Sequence, residues 1–240
     1  MEELSVIFVD SIEEIGMEEW NALTGIDNPF VRYEFLHALE STGCTTDKTG
    51  WKPMHVWVTK KDAETESGKI QSVAVMPLYL KNNSWGEYVF DWAWADAYSR
   101  HGLKYYPKFV TSIPFTPSGG RRVFIKNGML NSKLTKVIFE KVKAKAEALG
   151  ASSWHILFPS LEEHQCLSSL NALARIATQF HWYNKDYKSF ENFLEALNAR
   201  KRKAIKKERK HVKDQGIKFH RTEGREISEE QWVDFYLFYQ

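Results

Sequence analysis

Residues 121–150 read RRVFIKNGMLNSKLTKVIFEKVKAKAEALG: a short β-branched and aromatic run, a turn at Asn127-Gly128, then apolar residues at helical spacing. Leu134, Val137, Ile138, Val142 and Leu149 share one face of a helix predicted to start at Asn131 or Ser132 and to stop at Gly150. The alternation then repeats. Trp154 to Phe158 reads as a strand closed by Pro159, Leu161 to about Ala177 as a helix, and Gln179 to Tyr183 as another strand. A long helix follows from about Ser189, through Phe190, Phe193, Leu194, Leu197, Ile205 and Val212, to Gly216. Upstream the pattern differs. Val6 to Val9 reads as a strand, and Ser11 to Leu23 and Val31 to Leu39 as helices. Met54 to Thr59 and Ile70 to Leu80 read as hairpin strands joined by the turn-rich DAETESGK. Gly86 to Trp92 is predicted as a further strand, and residues 93–120, aromatic and rich in Pro and Gly, as an ordered irregular excursion. Hairpins followed by alternating strands and helices define an α/β (α+β) class with a mixed sheet.

Composition narrows the function. At 240 residues, 43% apolar and 14% aromatic, the chain buries a real core and has room for one or two domains. Cys44 and Cys166, far apart and without a C-x-x-C partner, disfavour a disulfide scaffold or a zinc site and fit a reducing cytoplasm. The opening MEELSVIFVD has acids where a signal peptide carries basic residues, and no apolar run approaches a bilayer span, so a soluble, cytoplasmic protein is expected. No histidine pair has metal-ligand spacing, and no G-x-S-x-G elbow appears.

Charge is divided unevenly. Residues 200–213, RKRKAIKKERKHVK, hold nine Lys or Arg and one Glu; the remaining 24 basic and 30 acidic residues give about −6. Such a cationic helix calls for an anionic counterpart, whether phosphate, nucleic acid, headgroup or acidic substrate, or else is a solvated face. The opening strand and helix are also echoed near the end. Val6-x-Phe8 with Trp20 matches Ile217-x-Phe219 with Trp232, the latter entered through a capping-box start at Ser228 to Gln231. This predicts a second unit beginning near residue 217.

The block GEYVFDWAWADAYSRHGLKYYPKFVTSIPFTPSGGRR, 86–122, concentrates Glu87, Asp91, Asp96, Tyr98, His101, Tyr105, Tyr106 and Lys108 among large rings. Carboxylates between rings can be desolvated and become bases for work on an amine. On a strand, Glu87, Val89 and Asp91 share one face and Tyr88, Phe90 and Trp92 the other; the expectation is rings to the core and carboxylates toward solvent. The turn Pro114 to Gly120, with Thr116, can present backbone N–H groups to an anion, as can Lys126 to Asn131 at a helix start. His155 and His181, each beside Trp in a predicted strand, fit packed residues more simply than catalytic ones.

These segments resemble the FemAB-like predicted N-acyltransferases, described as peptidoglycan biosynthesis/recognition proteins. The resemblance is carried by Asn28-Pro29-Phe30 with Glu34-Phe35-Leu36, Gly50-Trp51-x-Pro53, Pro77-Leu78-Tyr79-Leu80-Lys81, GEYVFDWAWADAY, GLKYYPK, PFTP, GRR, QFHW-x-N at Gln179 to Asn184 and ARKRKAIKKERK. Asn83 stands where the family's pattern has His. The resemblance implies tandem GNAT-like acyltransferase folds, the first lobe spanning 1–187, a basic connecting helix 188–216 and the start of a truncated second lobe at 217–240. It implies acyl-CoA, or aminoacyl-tRNA as in the related Fem ligases, as donor, and a small-molecule or peptidoglycan-precursor amine as acceptor. The acetyltransferase pyrophosphate loop is not matched at 121–149. The expected reaction is direct attack of the amine, with Glu87, Asp91 or His181 as base and Tyr106 as acid. Arg200, Arg202 and Lys206, together with Asp96, Tyr105, Lys108 and Thr116, are expected to hold the reactants. The alternative is a non-catalytic RNA- or anion-binding module.

Overall fold

The computed structural model describes residues 4–61, 70–126 and 132–240. The chain divides into two compact units, Met1–Ala177 and Thr178–Gln240. In the first, strand β1 (Leu4–Val9) leads through a 3-10 turn (Ile12–Glu14) to helix α1 (Met17–Thr24), and a second 3-10 turn (Pro29–Val31) precedes α2 (Tyr33–Ser41). Strands β2 (Trp51–Pro53), β3 (His55–Lys61), β4 (Ile70–Met76) and β5 (Tyr79–Lys81) follow, then α3 (Trp92–Arg100) and β6 (Lys108–Thr111). The unit closes with β7 (Phe124–Ile125), α4 (Ser132–Ala148), β8 (Trp154–Ile156) and α5 (Leu161–Ser169).

Two four-stranded sheets result. One, ordered β1-β3-β4-β7, is antiparallel throughout; the other, β2-β5-β6-β8, pairs β6 and β8 in parallel. The architecture is the mixed α+β arrangement the sequence predicts. Both sheets grow from one long hairpin whose arms change sheet at Met54 and at Pro77-Leu78. Pro77 has no N–H to give a ladder, and the gap is bridged by Met54 N–H to Leu78 O (2.8 Å) and Leu78 N–H to the His55 Nδ1 (3.3 Å).

Alternation along the strands feeds two cores, one on each face of the first sheet. Val56, Val58, Ala74, Met76 and Ile125 pack against Leu134, Ile138 and Val142 of α4. Val75 and Phe124, pointing the other way, pack with Ile12, Trp20, Val31 and Leu36 of the α1–α2 side. The periodic stripe on α4 therefore does what its spacing predicts. The 62–69 turn, and all but Lys126 of the 126–131 segment, lie outside the described residues.

The structure corrects several element boundaries. Gly86 to Asp91 is an irregular loop, and its continuation from Trp92 is helical. The helix begun at Leu161 ends at Ser169, because Leu170 N–H and Ala172 N–H turn back to Leu167 O.

In the second unit, α6 (Phe190–Glu195), α7 (Ala199–Asp214) and α8 (Glu229–Tyr239) are the regular elements. The predicted single helix from Ser189 to Gly216 is broken, since the Asn198 side chain accepts from Lys201 N–H and restarts the helix as an N-cap (2.9 Å). Residues 179–183 and 217–219 form no strand. A strand needs a neighbour's backbone, and among the described residues the second unit has none to pair with. The capped start at Ser228 is as predicted, with Ser228 Oγ accepting from Gln231 N–H (3.2 Å).

Candidate functional site

The irregular loop at 84–91 exists to wrap one ammonium group. Lys108, at the start of β6, is fully buried, and its Nζ donates to Ser84 Oγ (2.9 Å), Glu87 Oε2 (2.8 Å) and Asp91 Oδ2 (2.5 Å). All three ammonium protons are thereby used. A straight strand cannot bring residues 84, 87 and 91 to one point. The loop instead takes positive φ at Gly86, Tyr88 and Phe90, every second residue, which coils the chain while keeping Glu87 and Asp91 on its inner side. The predicted parity of the two faces is thus right and their destinations are exchanged. Glu87 and Asp91 are buried, whereas Tyr88 and Phe90 are 52% and 76% exposed. Pairing with Lys108 outweighs the burial of two rings.

A second lysine completes the charge balance. Lys81, at the end of β5, is also fully buried; its Nζ donates to Trp85 O (3.1 Å), stands 4.0 Å from Glu87 Oε1 and lies 3.7 Å from the Trp51 ring centre. Two cations and two anions share a volume closed to water. Burial pulls the Lys81 ammonium down to about 7, against the opposing pull of Glu87. Burial also raises the Glu87 carboxyl above its ordinary value, only partly offset by Lys108. Asp91 moves the other way. Burial works against its charge, but hydrogen bonds from Lys108, Ser84 and Tyr105 hold it down to about 2. The two carboxylates are therefore unequal: Asp91 is a fixed anion, while Glu87 is the more basic. Glu87 Oε1 and Asp91 Oδ1 are buried with no hydrogen-bond partner.

The cluster reaches toward the surface through its tyrosines and one histidine. Tyr105 donates to Asp91 Oδ2 (2.5 Å) and is held well above the usual phenol value by burial and by that bond. Tyr106 is half-buried and shares a 2.7 Å hydrogen bond with Ser84 Oγ. His155 on β8 places Nδ1 4.0 Å from Asp91 Oδ2 with Nε2 3.1 Å from Ser153 Oγ, and burial lowers its pKa to about 4. On the loop, on α3 and in the 115 turn the rings of Trp85, Tyr88, Phe90, Trp92, Trp94 and Phe115 are exposed. The Phe115 N–H ties the 115 turn to the loop by bonding Gly86 O (3.1 Å).

Glu87, Asp91, Tyr105, Tyr106 and Lys108 thus come together. The other candidates of the first unit, Asp96 and Thr116, do not join them. Asp96 lies on the exposed face of α3, paired with Arg100 (2.7 Å). Thr116 sits in the following turn, with its N–H on Ile113 O (3.4 Å). His181 belongs to the second unit, where it is exposed and stacks on Tyr183 at 6.1 Å. Arg200 and Lys206 are exposed on α7. Arg202 turns back: its guanidinium donates to Leu194 O (3.1 Å), Glu195 O (3.4 Å) and Leu197 O (3.0 Å), serving carbonyls at and just beyond the end of α6. Asn83 anchors the turn before the loop, accepting from Trp85 N–H (3.0 Å) and donating to Thr49 O (3.3 Å). Gly50 must be glycine beside it, since φ is +79° and a Cβ would stand 2.0 Å from Asn83 Nδ2.

Lys81 and Ser84 are the members that sequence reasoning left out, and His155 is the one it read as a packed residue. Period-two alternation does put Lys81 on the same side as the buried Tyr79, which was the available signal. Nothing local marks Ser84 or His155, whose roles depend on β6 running between β5 and β8.

A mixed α+β unit thus holds a solvent-excluded cluster of two carboxylates and two ammonium groups, with exposed aromatic rings on the neighbouring loop and helix. The chain belongs to the FemAB-like family, described as peptidoglycan biosynthesis/recognition, whose sequence profile matches residues 11–240. No individual curated protein matches the chain. That description gives peptidoglycan biosynthesis or recognition as the family's field. Among the described residues no helix is long and apolar enough to cross a membrane, and no cluster of His, Cys, Asp or Glu is arranged to hold a metal.

Proposed function

We propose that the chain is a GNAT-like N-acyltransferase that moves an acyl or aminoacyl group from an activated donor, acyl-CoA or aminoacyl-tRNA, to an amine of a peptidoglycan precursor. The reading rests on one observation: an unbroken path from a basic carboxylate to a half-buried hydroxyl. Glu87 meets Lys108 at 2.8 Å, Lys108 meets Ser84 at 2.9 Å and Ser84 meets Tyr106 at 2.7 Å.

In this mechanism the amine nitrogen attacks the donor carbonyl, forming the C–N bond as the bond to the leaving oxygen or sulfur breaks. The proton shed by the nitrogen goes to Glu87, the carboxylate whose basicity is raised; because Glu87 is buried, the step requires the 84–91 loop to move aside and admit the amine. The leaving group takes the Tyr106 proton. Lys108 then passes a proton through Ser84 to Tyr106 and recovers one from Glu87, so each group returns to its starting state. Asp91 is too weak a base for this and acts as the anchor of Lys108. Proton transfer of this kind is worth about 10²–10⁴ in rate. The test is amide formation on a muropeptide amine, with acetyl-CoA and aminoacyl-tRNA offered separately, by the parent and by Tyr106→Phe, Ser84→Ala and Glu87→Gln. Each variant should retain its fold and lose turnover; full activity in both Tyr106→Phe and Ser84→Ala removes the path.

A second reading, anion binding without catalysis, is favoured by α7. Arg200, Lys203, Lys206 and Lys207 are exposed and form no ion pair among the described residues. Retention of a polyanion that falls steeply with salt and is lost when these four become Gln, in a chain without transfer activity, would favour it.

A further inference from the structure

A concavity of the first unit has the opposite chemistry to α7. Where the 3-10 turn at Ile12–Glu14 meets the end of α2, a cleft of about 340 Å³ is lined by Asp10, Ser11, Glu13, His37, Glu40, Ser41, Thr45, Thr46 and Pro53. Three carboxylates and four hydroxyls face one imidazole, and no Lys or Arg lines the cleft.

The carboxylates are not equally committed. Glu40 is saturated: Oε1 meets His55 Nε2 (2.8 Å), and Oε2 accepts from Ser11 Oγ (2.9 Å) and Ile12 N–H (3.0 Å). Leu78 N–H points at His55 Nδ1, so Nε2 bears the proton given to Glu40. Those bonds hold Glu40 below its ordinary value despite its burial, keeping it a fixed negative charge in the wall. Glu13 uses one oxygen, Oε1, on His37 Nε2 (2.7 Å). Asp10 forms no side-chain hydrogen bond or ion pair among the described residues. An independent sign of a missing ligand is Thr45, which is 2% exposed and whose Oγ1 has no hydrogen-bond partner. A buried hydroxyl left unpaired is costly and calls for a partner.

A metal ion does not fit, because among the described residues no three such groups converge on one point. A larger cation that brings its own N–H donors and spreads them over several acceptors does fit, and the volume admits a small molecule. We propose that this cleft binds the primary ammonium group of a small organic amine, with Asp10 and Glu13 supplying charge, Glu40 the standing field and Thr45 an acceptor.

The test uses the intact chain and cadaverine as ligand, followed by NMR through the His37 ring and the Thr45 methyl signals at low salt. Tetramethylammonium, which carries the charge but no N–H, and acetamide, which carries N–H but no charge, are the comparisons. Cadaverine should shift both reporters saturably. Asp10→Asn with Glu13→Gln should weaken it about tenfold, and Thr45→Val, which keeps shape and charge, by about threefold. Tyr106→Phe should leave it unchanged, so this inference and the proposed transfer reaction fail separately. Equal binding of tetramethylammonium, or cadaverine binding indifferent to Thr45→Val and to the double variant, overturns the proposal. So does the absence of any saturable shift at tens of millimolar ligand.

Discussion

Replacing Lys108 by Met should be among the most damaging single changes available in the first unit, and its size can be worked out from the contacts. The substitution keeps most of the stem volume but deletes three hydrogen bonds, to Ser84, Glu87 and Asp91, and the positive charge between two carboxylates that are wholly buried. Breaking a buried pair by removing one partner costs about 3–5 kcal/mol, mostly because a charge is stranded without solvent. At about 2–4 °C per kcal/mol for a domain of this size, the melting temperature should fall by roughly 6–20 °C. The second half of the experiment tests the cause. Lys108→Met with Asp91→Asn removes the stranded anion that is hardest to protonate and should recover at least about half of the loss. Urea unfolding followed by tryptophan fluorescence gives both numbers. A Lys108→Met protein within about 1 kcal/mol of the parent, or a double variant no more stable than the single, refutes the account of the cluster as a mutually dependent set of charges.

Other outcomes follow from the same geometry. Asp91, lowered from 3.8 to about 2 in the fold, contributes stability that is fully present above about pH 4 and is lost as pH falls toward 2. The loss should be about 2 kcal/mol, and Asp91→Asn should abolish that limb of the acid-unfolding curve. Lys81 has the same sign in a higher window: lowered from 10.5 to about 7, it leaves the unfolded chain binding more protons between those values, so stability should rise from pH 7 toward 10. Lys81→Met should flatten that rise in pH-dependent urea titrations. Arg202→Ala should cost about 1–3 kcal/mol and expose α6 amides to hydrogen exchange, whereas Arg200→Ala should leave exchange unchanged, because of the two it is Arg202 that donates to the carbonyls at the end of α6.

The sequence carried the periodic parts of this fold and lost the parts decided at a distance. The stripe Leu134-Ile138-Val142 located α4 and its buried face, and the Ser228-to-Gln231 box located the start of α8, because both signals are local. Alternation also sorted residues 86–92 into two correct sets. Inside and outside were then exchanged, because the choice was made by Lys108, seventeen residues beyond Asp91. Rings normally claim the interior, but here two carboxylates and two ammonium groups claim it together. At Gln179 to Tyr183 the composition of a strand was present without a partner strand among the described residues, and Phe180 is left 94% exposed. Arg202 was read as part of a charge pattern; its use as a helix cap is visible only once the break at Asn198 is known. Glu87, Asp91 and Tyr106 were legible as types suited to proton transfer, and Tyr105 and Lys108 as groups to hold a reactant, while the Ser84 link between them required coordinates.

The hairpin that changes sheet at Met54 and Pro77-Leu78 also governs how the first unit comes apart. His55, which holds Glu40 of the acidic cleft, and Lys81 of the ionic cluster sit on its two arms, so the two sites are joined through one covalent ribbon, with Tyr79 edge-to-face against the His55 and Trp51 rings at 5.1 and 5.2 Å. Neither sheet can melt while the other keeps its strands in register. Protection against exchange should therefore be lost in a single step across β2 to β5, with no intermediate in which one sheet survives alone.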